Sequence, residues 1–185
     1  MNSSRRPAQR YNVVGTSGSG KSTFAKQLAA RLASPCIEMD ALFWGPDWSS
    51  ATDEAFFKKL HAALDQSSWV LDGNYTRTVP IKWARVQTVV WIDFSFGRTL
   101  YQAIRRALLR SLSGEELWPG TGNTESFAKS FLSRDSIILY TVRSYWKNRR
   151  KYEAAMRDPN YCHIDFVRLT SPKAVINYLH EQSNA

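Results

Sequence analysis

The sequence predicts a three-layer α/β fold, a five-stranded parallel sheet with helices on both faces and a small lid insertion. Three observations predict it. Short apolar runs recur along the chain, and stretches with helical spacing of apolar residues separate most of them, which is the pattern of a parallel sheet. The run Thr88 to Asp93 is the most apolar, as expected of a strand covered on both faces. A glycine-rich turn joins the first strand directly to the first helix.

Taken in order, Tyr11 to Gly15 is a short strand entering that turn. From Lys21 to Leu32, the apolar residues Phe24, Ala25, Leu28, Ala29 and Leu32 share one helical face. Cys36 to Asp40 reads as a second strand ending in a carboxylate, followed by an aromatic loop from Leu42 to Trp48. Thr52 or Asp53 can cap a helix reaching about Gln66. Trp69 to Asp72 is a third strand, closed by the Gly73–Asn74 turn, and Pro80 to Ala84 suits a short helix. A basic helix follows the fourth strand to about Arg110. Glycine and proline then mark an insertion, a lid spanning about residues 111–131. One or two helices fill Glu125 to Arg157, His163 to Leu169 is a fifth strand, and Pro172 opens a terminal helix. Residues 1–185 read as a single domain with a basic tail over residues 1–10, with no internal repeat and no linker.

Composition narrows the function classes. With 185 residues and 43% hydrophobic content spread along the chain, a sizeable core is expected and extensive disorder is not. No run of 18 or more apolar residues appears, which argues against a membrane span. Met1 to Arg10 is polar and basic, unlike a secretory signal, so a cytoplasmic location is expected. Cys36 and Cys162 lack metal-ligand spacing and read as reduced structural thiols. The balance of 25 basic to 16 acidic residues gives a net charge of +9, which suits a nucleic acid, a membrane surface or a triphosphate. Much of the excess falls in Arg98 to Arg110 and Arg143 to Lys151, both helical in pattern. Neither stretch has the aromatic-basic pattern of an RNA-recognition motif, and no helix-turn-helix, zinc or oligonucleotide-binding barrel signature is present.

Gly15-Thr16-Ser17-Gly18-Ser19-Gly20-Lys21-Ser22 matches the phosphate-loop spacing G-x-x-x-x-G-K-[ST], placed between a strand and a helix. Glycines let backbone N–H groups approach phosphate oxygens, and the following helix points its positive end at the same anion. Gly15 through Thr23 are therefore the expected nucleotide-binding residues, for ATP with Mg²⁺. Lys21 can reach the β- and γ-phosphates, and the Ser22 hydroxyl can ligate the metal.

Three strands end in Asp40, Asp72 and Asp93, at the sheet edge where the phosphate loop lies. Asp72, after an apolar run, is the candidate partner of Ser22 at the metal, and Asp40 the candidate group orienting an acceptor; each also suits a strand-end turn. Arg106 and Arg110 share a helix face before the insertion and are candidates for stabilising a transferred phosphoryl group. Arg149 and Arg150 could close over the same site, and a solvated basic face is the alternative for any of these arginines.

The phosphate loop, Leu71-Asp72-Gly73 and the arginines before the insertion resemble the nucleoside monophosphate kinase superfamily. Met39 to Trp44 with Pro46 and Trp48, then Trp69 to Tyr75, then Val90 to Asp93, resemble one subgroup, the adenylate-kinase-like proteins labelled DNA topology modulation proteins. The resemblance runs from about Tyr11 to Leu179 and implies the three-layer P-loop NTPase fold. It also implies an acceptor pocket near Asp40, Phe43, Trp44, Trp48 and the Asp72 turn, where the rings stack on the acceptor or pack as a flap on the core. Adenylate kinases carry Phe-Pro-Arg after Asp-Gly, whereas this chain has Asn74-Tyr75-Thr76-Arg77, with Arg77 as the candidate replacement. The expected activity is phosphoryl transfer from MgATP to a nucleotide, nucleoside or other small acceptor. The rival expectation is an ATP-dependent nucleic-acid-binding regulator; nucleic acid is a possible partner, though not the favoured one.

Overall fold

Five apolar runs become strands, and all of them pair in parallel. The computed structural model describes residues 9–113, 116–118, 120–124 and 136–182. Its strands are β1 (Arg10–Gly15), β2 (Cys36–Glu38), β3 (Trp69–Asp72), β4 (Thr88–Ile92) and β5 (Asp165–Leu169), in the order β2-β3-β1-β4-β5. β1 lies at the centre, with Tyr11 opposite Val70 on one side and Thr88 on the other.

Successive side chains point to opposite faces of the sheet, so each strand feeds two cores. Val13, Val70, Val90 and Ile92 pack with Phe24, Ala25 and Leu28 of α1 (Lys21–Arg31) and Leu179 of α7 (Pro172–Glu181). Val14, Leu71, Val89 and Trp91 face the other way, onto Phe56 and Leu60 of α3 (Asp53–Ala63) and Tyr152 of α6 (Ile137–Ala155). Trp69 and Phe56 are fully buried in this second core, and truncating such a ring to alanine costs about 3–5 kcal/mol. Side-chain oxygens start three of the helices. Thr52 accepts from Ala55 N–H, Ser136 from Ile138 and Leu139, and Ser171 from Ala174 ahead of Pro172 at the first helical position.

The remaining helices are α2 (Met39–Phe43), α4 (Val79–Lys82) and α5 (Phe96–Ser113). Two of them shift sequence-based boundaries. β2 stops at Glu38, so Asp40 sits in the first turn of α2 and not at the end of a strand. Met39 explains the break: its fully buried side chain fills the space beside Gly73, where a Cβ would lie 2.7 Å from it. α5 runs through Ser113, so the first three residues assigned to the insertion continue the helix. Glu116 and Thr124 form an antiparallel bridge beyond it, while residues 125–131 of the expected lid lie outside the described residues. β5 begins two residues later than its apolar run suggests, because Ile164 still donates to Tyr161 in a turn.

Candidate nucleotide site

The phosphate loop leaves β1 at Gly15 and enters α1 at Lys21. Two of its glycines are required by close packing. A Cβ on Gly15 would meet the Ile92 carbonyl oxygen at 2.7 Å, and one on Gly18 would lie 2.7 Å from the Ala103 Cβ of α5. Gly18 also has φ 85°, a left-handed conformation that other residues adopt at a cost. Inside the loop, Ser19 N–H donates to the Thr16 carbonyl at 3.0 Å. Gly20 is the N-cap and makes no side-chain capping bond, so the first turn of α1 faces the cleft through its backbone N–H groups.

A cleft of about 390 Å³ opens beside this loop, lined by Gly20, Lys21, Ser22, Thr23, Arg106 and Arg110, with Gln102 and Arg105 beside them. That volume suits a bound nucleotide. Arg106 donates from Nη2 to the Ser17 hydroxyl at 3.1 Å, which brings α5 onto the loop. A larger depression of about 670 Å³ lies elsewhere, at the opposite end of the sheet, among Leu32, Ser34, Pro35, Gln66, Ser67 and Ser68. It has no titratable lining group and stands apart from the cluster of loop, lysine and arginines, so the smaller cleft is the candidate site.

Asp72 stands at the end of β3 beside Lys21, with 3.8 Å between Oδ1 and Nζ. Burial raises the Asp72 pKa; the Lys21 ammonium and the Ser22 hydroxyl oppose this, and the Asp40 and Glu38 carboxylates add to it. Its Oδ1 is buried and accepts no hydrogen bond. A buried carboxylate oxygen without a donor, beside a serine hydroxyl, is a hard-oxygen set that fits Mg²⁺.

Asp40 is exposed and accepts from the Tyr75 hydroxyl at 2.7 Å. Burial and the Asp40 carboxylate push the Tyr75 phenol well above its usual range, so the phenol stays a donor. The rings around it pack on one another: Phe43 lies 5.3 Å from both Phe56 and Tyr75, and Trp44 lies 5.8 Å from Trp48. Arg77 sits over Phe43 at 4.8 Å and pairs with Asp53 at 3.2 Å. The aromatic loop is also tied to segment 116–124. Asn123 accepts from Trp48 N–H at 2.8 Å and donates to the Gly45 carbonyl at 2.9 Å, while Trp118 meets Trp48 edge-on.

Lys21, Ser22, Arg106 and Arg110 thus line one cleft, and Asp72 stands next to Lys21. Asp93 and Arg149 do something else. Asp93 accepts from Arg168 Nε at 2.8 Å and lies 3.7 Å from Arg149, which also meets Glu153, so this group ties α6 to the sheet. Arg150 is exposed. Sequence reasoning missed Asn74, Lys82, Asn12 and Tyr152, which support the Asp72 turn. Lys82 donates to the Gly73 carbonyl at 3.0 Å, and Asn12 donates to it at 3.3 Å and accepts from the Trp83 indole N–H. No spacing rule marks these residues, because they act as buried supports.

Neither a protein-family model nor a curated protein sequence matches the chain. Among solved structures it is similar to a gluconokinase from Sinorhizobium meliloti 1021, with a TM-score of 0.50 and 16% sequence identity, over 97% of this chain and 96% of that one. At that identity the likeness is one of fold. No helix among the described residues is long and apolar enough to cross a membrane. The five-stranded all-parallel sheet, flanked by helices, gives the chain an α/β fold that it shares with that gluconokinase.

Proposed function

We propose that the protein is a P-loop phosphotransferase that moves the γ-phosphoryl group of MgATP to a small hydroxyl- or phosphate-bearing acceptor. The observation that carries this reading is the convergence of Lys21, Ser22, Arg106 and Arg110 on one cleft beside the glycine loop, with Asp72 next to Lys21. The backbone from Gly15 to Thr23 holds the phosphates. Ser22 and Asp72 would hold Mg²⁺, which when bound neutralises charge shared by the β- and γ-oxygens. Lys21 binds the migrating group, and Arg106 and Arg110 stabilise the negative charge spread over its oxygens.

An acceptor oxygen attacks the γ-phosphorus as the bond to the β–γ bridging oxygen breaks, and ADP leaves. For a hydroxyl acceptor, the released proton goes to the Asp40 carboxylate, which the Tyr75 hydroxyl orients. The aromatic loop, tied to Trp118 and Asn123, covers the acceptor side and excludes water. The finer likeness, to the adenylate-kinase-like group labelled DNA topology modulation proteins, rests on the sequence motifs around Asp40, Asp72 and Asp93.

The test is ADP release from MgATP against a panel of nucleosides, nucleoside monophosphates and small hydroxy metabolites, with Lys21→Ala as control. Stimulation by one acceptor, lost in the variant, supports the kinase. Tight ATP binding with no stimulation by any acceptor overturns it and moves the nucleic-acid regulator forward.

A further inference from the structure

Gly15 opens the phosphate loop opposite Ile92 of β4, at the point where β1 runs out of partners on its β3 side. The pairing of β1 with β3 ends at Val13 opposite Asp72, and the Gly73 N–H donates to the Val13 carbonyl at 3.2 Å. Beyond that point no β3 backbone group is available to Gly15 on this side, and a side chain takes over. Gly15 N–H donates to Asn74 Oδ1 at 3.0 Å, and Asn74 Nδ2 donates to the Gly15 carbonyl. One carboxamide therefore satisfies both polar groups of the residue, as a neighbouring strand would.

Asn74 is itself held. The Tyr152 hydroxyl of α6 donates to Asn74 Oδ1 at 3.0 Å, and Lys151 reaches the Asn74 carbonyl at 3.5 Å and the Thr76 hydroxyl at 2.9 Å. Tyr152 is buried among the core rings, with its own ring tilted 5.7 Å from Trp91. The Gly73 conformation and the buried donors on its carbonyl fix where Asn74 leaves the turn. The next residue, Tyr75, holds Asp40 on the proposed acceptor side. At its other end, α6 touches the loop again through Thr141, whose hydroxyl donates to the Ser17 carbonyl at 3.4 Å.

We infer that Asn74 is a positioning residue that sets the entry geometry of the phosphate loop and joins it rigidly to α6 and to the Asp40–Tyr75 acceptor side. It touches neither phosphate nor acceptor in this role. It acts through Gly15, whose peptide orientation determines how the following N–H groups point into the cleft. The inference rests on the phosphotransferase reading for its catalytic consequence and stands without it for its structural one.

The test uses the full chain with Asn74→Ala, Asn74→Asp and Tyr152→Phe. Asn74→Asp keeps an acceptor for Gly15 N–H and Tyr152 but removes the donor to the Gly15 carbonyl. Tyr152→Phe keeps the ring in the core and removes only its hydroxyl. Amide hydrogen exchange at Gly15 is read without nucleotide, MgATP affinity by calorimetry, and kcat and KM with the best acceptor. In Asn74→Ala, Gly15 exchange should quicken, and MgATP affinity should fall roughly tenfold to a hundredfold, as expected for several lost hydrogen bonds in a polar network. Tyr152→Phe should show a smaller loss of affinity with an almost unchanged melting temperature, and Asn74→Asp should lie between the other two. Unchanged Gly15 exchange and MgATP affinity within about twofold in Asn74→Ala would overturn the inference. An unmodified chain that does not bind MgATP sinks the phosphotransferase reading instead, while Gly15 exchange still decides the clasp.

Discussion

Replacing Lys82 with methionine tests how charge is accommodated beneath the candidate site. Lys82 is 1% exposed, and among the described residues its Nζ meets the Gly73 carbonyl and, at 3.9 Å, the Met39 sulfur. Burial, with a smaller contribution from the Lys151 charge, lowers its pKa from 10.5 to about 7, against the pull of Asp72. The unfolded chain therefore binds more protons than the folded one between about pH 7 and 10.5. Stability must rise with pH through that window and lose this contribution as pH falls. The two values together correspond to about 5 kcal/mol, of which roughly half is recovered between pH 6 and pH 9.

Lys82→Met removes this titration but keeps most of the volume, and Asn12 remains as a donor to the Gly73 carbonyl. Urea unfolding of both proteins at pH 6 and pH 9 gives four free energies. The unmodified protein should gain about 2–3 kcal/mol more than the variant over that interval. Titrating groups remote from Lys82 are common to both chains and cancel in the difference, whereas Lys151 and Asp72, which feel its charge, contribute to it. Parallel pH profiles would show that the lysine does not titrate differently in the fold, and the account of its burial would be wrong.

Three further perturbations follow from the same geometry. Asp72→Asn should lower ADP release roughly 100-fold. Its melting temperature should hold or rise, since a buried carboxylate is costly, and unchanged turnover would remove Asp72 from the metal role. Gly18→Ala places a Cβ 2.7 Å from Ala103 and 2.8 Å from the Thr99 carbonyl, so urea unfolding should show a loss of about 1–3 kcal/mol; native stability would mean that α5 does not press on the loop. Asn123→Ala frees the Trp48 N–H and the Gly45 carbonyl in a loop where Asp47 and Trp48 both have positive φ. Hydrogen exchange at Trp48 should quicken roughly tenfold, and unaltered exchange would show that the loop holds its shape alone.

What could be read from sequence was whatever repeats or has a fixed spacing. The apolar runs placed all five strands, and the glycine, lysine and serine spacing placed the loop between β1 and α1. Loop and sheet topology pointed to Asp72, Arg106 and Arg110 as candidates, and the structure sets Asp72 beside Lys21 and both arginines along the cleft. Asp40 was assigned to a strand because Cys36 to Asp40 looks continuous, yet the buried Met39 turns the chain one residue earlier. Asp93 looked like the other acidic strand ends, but its partners arrive from β5 and α6, far along the chain. Asn74 and Lys82 gave no signal, since a turn asparagine and a helix lysine are ordinary on a surface. Their roles arise only when the Gly73 turn folds back under β1.

The position of β1 at the centre of the sheet also has a consequence during synthesis. Its loop is written in the first 23 residues, yet one wall is β3 and the other is β4, where the Ile92 carbonyl packs on Gly15. A growing chain has to release residues past Ile92 from the ribosome before the loop can form between its two flanking strands. Parallel pairing between distant strands is slow to assemble, so nascent chains halted before β4 should expose Val13 and Val14 and be handled by chaperones rather than by nucleotide.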